Sequence, residues 1–513
     1  MYSEFEINVL LPLQQSLNNR EDKNAFFIGG EYYTYGDLNR KVSTIRAALR
    51  ENNCQPGQRV ALAVDDNIDT YASIIALWME GCAYIPMHPL HPVTRNMEII
   101  GQTEPALLLH TEKGNILAES AKKQGYCTLC TPLLQCSHEI YDSSTPTDDS
   151  HLAYILFTSG STGSPKGVCI TRGNLAAFIE SFWMSGVVIE PGDRCLQAFD
   201  LTFDVSIQAF VTALLHGACS YTIPYGQVKY LYAAQLMIEQ HLTHAAMAPS
   251  MLTYLRPWFD QLKPDSLKTT ILTAEATPVE LAEEWFSCAP NTDIYDFYGP
   301  TEGTVYCTCY RLNREGKNLS AIGMTAIGKP LANVTALLVD EEGKPVTDGE
   351  KGELCIAGKQ VTPGYWNNEQ RNTSAFFTRR EGDTDVRYYR TGDLCQFTSD
   401  GNLLYFGRLD HQTKIQGFRV ELGEIEYHAR NYSHSRTVAT SYSNNLGLTE
   451  IALFIESTDT DTTELTHYLS GHLPHYMVPS QIICIPEFPL NKSEKIDRPA
   501  LAERLKQELS SKN

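Results

Sequence analysis

An apolar strand that runs straight into a loop of glycine, serine, threonine and lysine is a demanding feature to fold around, and residues 154–167, YILFTSGSTGSPKG, read as one. Tyr154, Ile155, Leu156 and Phe157 give the loop a rigid base, and Gly160, Gly163 and Gly167 let its backbone approach an anion closely. Thr158, Ser159, Ser161, Thr162 and Ser164 add hydroxyl donors, the backbone N–H groups can form a concave nest, and Lys166 adds a positive charge. Such a loop holds phosphates. It is not a P-loop, which needs Gly immediately before the Lys and Ser or Thr immediately after; Pro165 and Gly167 stand there. The core-like strand before it also sets it apart from a flexible Ser/Gly linker.

With 513 residues and 42% hydrophobic composition the chain should bury a large core in two or more domains. Its net charge of −20 leaves no basic face for phosphate backbones, which excludes a nucleic-acid binder and favours a small substrate or a protein partner. The first residues are acidic where a secretory signal is basic, and no apolar run approaches membrane-spanning length, so a cytoplasmic enzyme is expected. Fourteen cysteines, mostly inside apolar runs such as those of Cys82, Cys169, Cys355 and Cys484, read as small buried residues of a reducing compartment. Cys127, Cys130, Cys136 and His138 have spacing suited to zinc, but Leu129, Leu133 and Leu134 interleave as at a strand or helix edge, and core is the preferred reading.

Strand-like and helix-like stretches alternate from the start. Residues 33–38 lead into a helical run through Leu49, 59–64 read as a strand, 68–79 repeat apolar residues at helical spacing, and 83–86 and 106–110 return to strand. This is βα alternation, the mark of a largely parallel sheet covered by helices. Residues 142–150 are polar and read as an exposed loop, and Asn174 is the expected N-cap of a helix over 175–183. The alternation resumes after Ala213 through 245–248 and 270–274 to Tyr295. From 328 to 404 short strands between Gly, Asp and Asn turns predict a smaller antiparallel sheet. The charged stretch 407–414 carries a hinge near Asp410, with a small α+β domain after it that ends in a helix over 499–509. The expected domains are therefore 1–409 and 410–513.

Four more stretches carry residue types that a nucleotide-dependent enzyme needs: 293–303 (DIYDFYGPTEG), 389–394 (YRTGDL), 407–426 (GRLDHQTKIQGFRVELGEIE) and 489–498 (PLNKSEKIDR). With YTYGDL, GCAYIPMHPLHP, GELCIAGKQVTPGYW and LPHYMVP, they run in one order over nearly the whole chain. In that order they resemble the adenylate-forming superfamily, specifically the amino-acid adenylation enzymes of nonribosomal peptide synthesis and their stand-alone relatives. The resemblance implies a large N-terminal domain of stacked mixed sheets flanked by helices, a smaller antiparallel sheet, and a mobile α+β C-terminal domain hinged at Asp410. It implies a two-step reaction with ATP and Mg²⁺, in which an amino-acid carboxylate attacks the α-phosphate and a thiol then displaces AMP. That thiol is usually the phosphopantetheine arm of a carrier protein. No Ser-containing attachment motif follows, so a separate carrier chain is expected.

By position in the matched motifs, Thr158, Ser159, Gly160, Ser161, Thr162, Gly163 and Lys166 would hold the β- and γ-phosphates, Thr301 the α-phosphate and Glu302 the Mg²⁺. Tyr298 and Tyr405 would flank the adenine, and Asp393 would take the ribose hydroxyls with Arg408 nearby. Lys495 is similar to the superfamily's C-terminal lysine, which stabilises charge growing in the transition state. Ser493 and Glu494 stand where the family usually has Asn-Gly. Asp204, in AFDLTFDVS, resembles the aspartate that pairs with the substrate ammonium; Asp200 competes for the role, but Phe203, Asp204 and Ser206 match the frame better.

The rest of the lining carried over is Val205, Gln208, Met247, Ile271, Thr273, Phe297, Val305 and Tyr306. Its bulk, and the lack of charge beyond Asp204 and Lys495, imply a small or compact uncharged amino acid. The opening Asp204, Val205, Gln208 looks like that of proline-activating domains, so L-proline comes first and alanine, including its D form, second. The alternatives are an acyl- or aryl-CoA ligase of the same superfamily, against which Asp204 argues, and a non-catalytic adenylate-binding relative, suggested by Glu494.

Overall fold

The computed structural model describes residues 2–505 except 138, 139, 141, 142, 161, 162, 348, 411, 490–495, 499 and 502. The chain divides into two compact units. The first comprises the residues up to Pro89, Met97–Phe157 and Gly167–Leu409; the second comprises Leu90–Asn96, Thr158–Lys166 and the chain from Asp410 on.

Two large mixed sheets form the body of the first unit. One has nine strands, with Thr269–Thr273 near its middle, flanked by Asp293–Tyr298 and His244–Met247, and with Asn24–Ile28 and Glu31–Thr34 at one edge. Its interior pairs are parallel and its edge pairs antiparallel. The other has seven strands and includes Leu152–Thr158 beside Ala83–Met87. The helix Ile68–Met79 shows why the sheets stack. Its sequence, IDTYASIIALWM, is apolar nearly all round, every residue is buried, and such a helix needs cover on both sides. Tyr71 meets Phe26 of the nine-stranded sheet at 4.5 Å and Trp78 meets Tyr84 of the seven-stranded one at 6.0 Å. Each such side chain contributes roughly 1.5–3 kcal/mol by burial.

A five-stranded antiparallel sheet, with Lys351–Ala357 and Thr384–Phe397 at its centre, accounts for the short strands after 328. In the second unit a hairpin of Gln412–Ile415 and Phe418–Glu421 precedes the helix Leu422–Ser433 and a three-stranded sheet closed by Gln481–Ile485.

Two local expectations need correction. The helix Arg172–Met184 is capped by Thr171, whose hydroxyl accepts from Asn174 N–H; Asn174 is the third helical residue and returns the bond to Thr171 N–H, closing a capping box. Eight of the cysteines are buried, but Cys127 and Cys136 are exposed and Cys130 is half-buried, so that cluster is not core. Leu133 is exposed as well. His138 lies outside the described residues, and among those no group of three or more His, Cys, Asp or Glu is gathered as a metal site. Nor is any described helix long and apolar enough to cross a membrane.

Candidate active site

The residues singled out in the sequence divide between the two units. In the first, Asp204 stands at the N-cap of the helix Val205–Leu215 and is buried. Its Oδ2 accepts from the Val305 N–H at 3.3 Å. Burial lifts the carboxyl to about 6, Glu302 adds to the rise, and hydrogen bonds from Val305 and from the Thr301 side chain oppose it. Among the described residues no lysine or arginine pairs with it. Asp200 is already engaged: burial alone would raise it, but His88 at 2.8 Å and the Thr202 N–H hold it well below the usual carboxylate range. Of the two acids, Asp200 thus already has a partner in His88, whereas Asp204 has no lysine or arginine partner among the described residues.

Val305 reaches Asp204 because the backbone turns left-handed at two successive residues, Thr304 (φ 59°) and Val305 (φ 66°), after the short 3₁₀ turn Thr301–Gly303. Consecutive non-glycine residues in that region are strained, and strain of this kind persists only where neighbours over-determine it. The same turn lays the Tyr306 ring on Phe297, centroids 4.7 Å apart at 27°, and brings the Tyr306 hydroxyl to Gln208 Oε1 at 3.2 Å. Phe178 and Phe182 of the helix Arg172–Met184 back the two rings. Ile271 and Thr273 share one face of their strand and pair in register with Tyr295 and Phe297.

Met247 does not belong to that face. It pairs in register with Leu272, and partners in register point to the same side, so its side chain packs with Leu252, Leu272 and Leu281. Ala246, paired with Ile271, takes the place assigned to Met247.

Glu302 is fully buried and accepts the Tyr365 hydroxyl at 2.6 Å. Asp393 accepts from the Tyr298 hydroxyl at 2.6 Å and from Arg408 at 3.1 Å, so both its oxygens have donors. Tyr405 is half-buried across the same strand pair.

The loop Thr158–Lys166, expected from the sequence to hold phosphates, belongs to the second unit and meets acids there. Lys166 Nζ lies 3.0 Å from Glu421, the Gly160 N–H donates to Glu424 at 3.0 Å, and the Ser159 hydroxyl donates to the Arg419 carbonyl at 3.0 Å. Arg95 joins Glu424. Gly163 has φ 89°, and a side chain there would run into the Tyr427 ring. Two carboxylates therefore occupy donors that the sequence assigns to phosphates, which shows that this donor set takes anions. Thr158 is half-buried at the strand end. Asp410 caps its own turn, accepting from Gln412 N–H at 3.1 Å. Ser161, Thr162 and Lys495, with Ser493 and Glu494, lie outside the described residues. Three positions beyond Lys495, Arg498 bonds Glu426 at 2.7 Å.

Sequence reasoning missed Ala246, Tyr365, Gln360, Glu421 and Glu424. The last four lie in the motifs quoted above but carried no assigned role; Ala246 was hidden in a run, HAAM, whose residues are all buried.

An adenylate-type constellation on two stacked mixed sheets defines a class, and comparison with known proteins gives the family. Residues 13–366 match the family model described as AMP-binding enzyme, and the chain belongs to that family. It is 33% identical over 502 residues to a linear gramicidin synthase of Brevibacillus parabrevis, a match covering 95% of this chain and 9% of that protein. To malpinin synthetase of Mortierella alpina it is 30% identical, over 95% of this chain and 6% of the other. The chain thus spans under a tenth of these relatives' length. Among solved structures, the Vibrio cholerae adenylation domain AlmE in complex with glycyl-adenosine-5'-phosphate matches with a TM-score of 0.85 at 23% identity, over 97% of each chain.

Proposed function

We propose that this chain activates a small or compact, uncharged amino acid with ATP and passes it to a thiol. The observation that carries the reading is Asp204: a buried carboxylate, raised by desolvation and without a cationic partner among the described residues, is a site built to receive an ammonium group. An acyl or aryl acid brings no such cation. In the first step the amino-acid carboxylate attacks the α-phosphorus, the aminoacyl adenylate forms and pyrophosphate leaves. In-line displacement at phosphorus needs positioning and charge neutralisation more than covalent help. Lys166, the Gly160 N–H and Ser159 hold phosphate oxygens in place of their present acidic and carbonyl partners. Asp393 with Arg408 takes the ribose, Tyr298 and Tyr405 the adenine, and Thr301 the α-phosphate. Glu302 would hold Mg²⁺, an oxygen ligand for a hard cation that neutralises phosphate charge. Lys495 supplies positive charge to the growing oxyanion.

In the second step the phosphopantetheine thiol of a carrier protein displaces AMP, with the chain pivoting at Asp410. The setting is cytoplasmic. L-Proline is the first candidate and alanine, in either hand, the second, because the stacked Phe297 and Tyr306 leave little depth. Ala246 in place of Met247 adds width but not length.

Amino-acid-dependent ATP–pyrophosphate exchange across all proteinogenic amino acids and D-alanine tests the reading. Exchange with proline or alanine above the rest is expected. Preference for phenylalanine, tryptophan, lysine or glutamate overturns the substrate, and exchange only with acids lacking an amine overturns the class.

A further inference from the structure

The left-handed pair Thr304–Val305 needs something to hold it, and the residue that does so comes from a distant part of the sequence. Gln360 is fully buried, and its Nε2 donates to the carbonyls of Tyr306 (2.7 Å), Gly303 (3.3 Å) and Thr304 (3.4 Å). The Thr304 hydroxyl closes the ring by donating to the Gln360 carbonyl. Three carbonyls round one nitrogen fix which end of the amide is which. The other end is different: Gln360 Oε1 is buried and accepts no hydrogen bond from the described residues. A buried acceptor left unsatisfied is costly and calls for a reason.

The reason lies in what the NH₂ group does. Turning three carbonyls toward Gln360 turns the Val305 N–H toward Asp204 and the Tyr306 ring onto Phe297. Gln360 is itself fixed from behind. The Asn174 Nδ2 donates to the carbonyls on either side of it, Lys359 at 2.7 Å and Val361 at 3.1 Å, while Asn174 Oδ1 closes the helix cap.

We propose that Gln360 is a positioning residue for amino-acid recognition: it holds residues 303–306 in the strained conformation that presents Val305 N–H to Asp204 and Tyr306 to Gln208. The assignment rests on the amino-acid reading of Asp204 given above. Gln360 touches neither substrate. Its loss relaxes the turn, withdraws the Val305 N–H and loosens the side wall of the pocket.

The test compares wild type with Gln360→Met, which keeps the length and removes the donors, and with Asn174→Asp, which keeps the capping acceptor and removes the donors to Lys359 and Val361. KM for the amino acid should rise about tenfold or more in pyrophosphate exchange, while KM for ATP moves less than about twofold. In parallel, amide hydrogen exchange on the unliganded protein should show faster exchange across 303–307 and unchanged protection in the strand Thr269–Thr273. An unchanged amino-acid KM, or equal rises in both KM values, overturns the proposal. If the wild type exchanges with no amino acid, the amino-acid reading fails. Protection of 303–307 in Gln360→Met then still decides whether Gln360 holds the turn, and unaltered protection refutes it.

Discussion

Ionising Asp204 works against the fold. Burial raises its carboxyl from 3.8 to about 6, so between these values the unfolded chain releases its proton first and stability falls as pH rises. Below the lower value the cost is absent; above the upper it is complete, on the order of 3 kcal/mol. An ammonium bound there offsets that cost, which makes the site most receptive when the carboxylate is ionised. Asp204→Asn should therefore raise Tm at about pH 7.5, leave it nearly unchanged at about pH 4, and abolish amino-acid-dependent exchange at the higher pH, where the wild-type carboxylate is ionised. Thermal melts at the two pH values with exchange assays check this; a lower Tm at the higher pH would mean that the carboxylate is stabilised rather than strained. Asp204 could be singled out because FDVS is a local pattern. That the Val305 N–H meets it was not, since two successive left-handed residues have no signature in a stretch as ordinary as Thr-Val.

At the scale of elements, the strand His244–Met247 shows what a sequence withholds. All four residues are buried, so alternation of polar and apolar types, which would reveal the faces, is missing. Only the register with Thr269–Thr273 separates Ala246 from Met247. Ala246→Leu should fill the amino-acid pocket and raise that KM about tenfold, with little effect on ATP. Met247→Ala should leave the amino-acid KM alone and cost about 2–4 kcal/mol of stability through the cavity it opens. Steady-state kinetics and denaturant titration of the pair read this out, and the reverse pattern would restore Met247 to the pocket. The cap at Thr171 was ambiguous for a related reason. In TRGN both Thr and Asn are good capping residues, and the box uses each of them. By contrast the strand Leu152–Thr158 was legible, because an apolar run between a polar stretch and a glycine-rich one has few other ways to fold.

Over the whole molecule, βα alternation announced the architecture while the order of strands stayed hidden: Asn24–Ile28 lies beside Cys219–Thr222, a pairing with no local cue. The last of the passages between the two units falls at Leu409 and Asp410. If the chain pivots there, Asp410→Pro, which fixes φ, should spare adenylation and impair transfer to the carrier. Single-turnover assays of each half-reaction test it, and equal loss of both argues against a pivot at this residue. The grip of Gln360 on the turn at Thr304 has a consequence for building hybrid enzymes. The holder and the held are 54–57 positions apart in sequence. A crossover between them joins a pocket wall from one parent to a clamp from the other, so a chimera that swaps residues 297–306 to change substrate should inherit the new lining but not its shape. Moving 358–362 together with that stretch keeps the two matched.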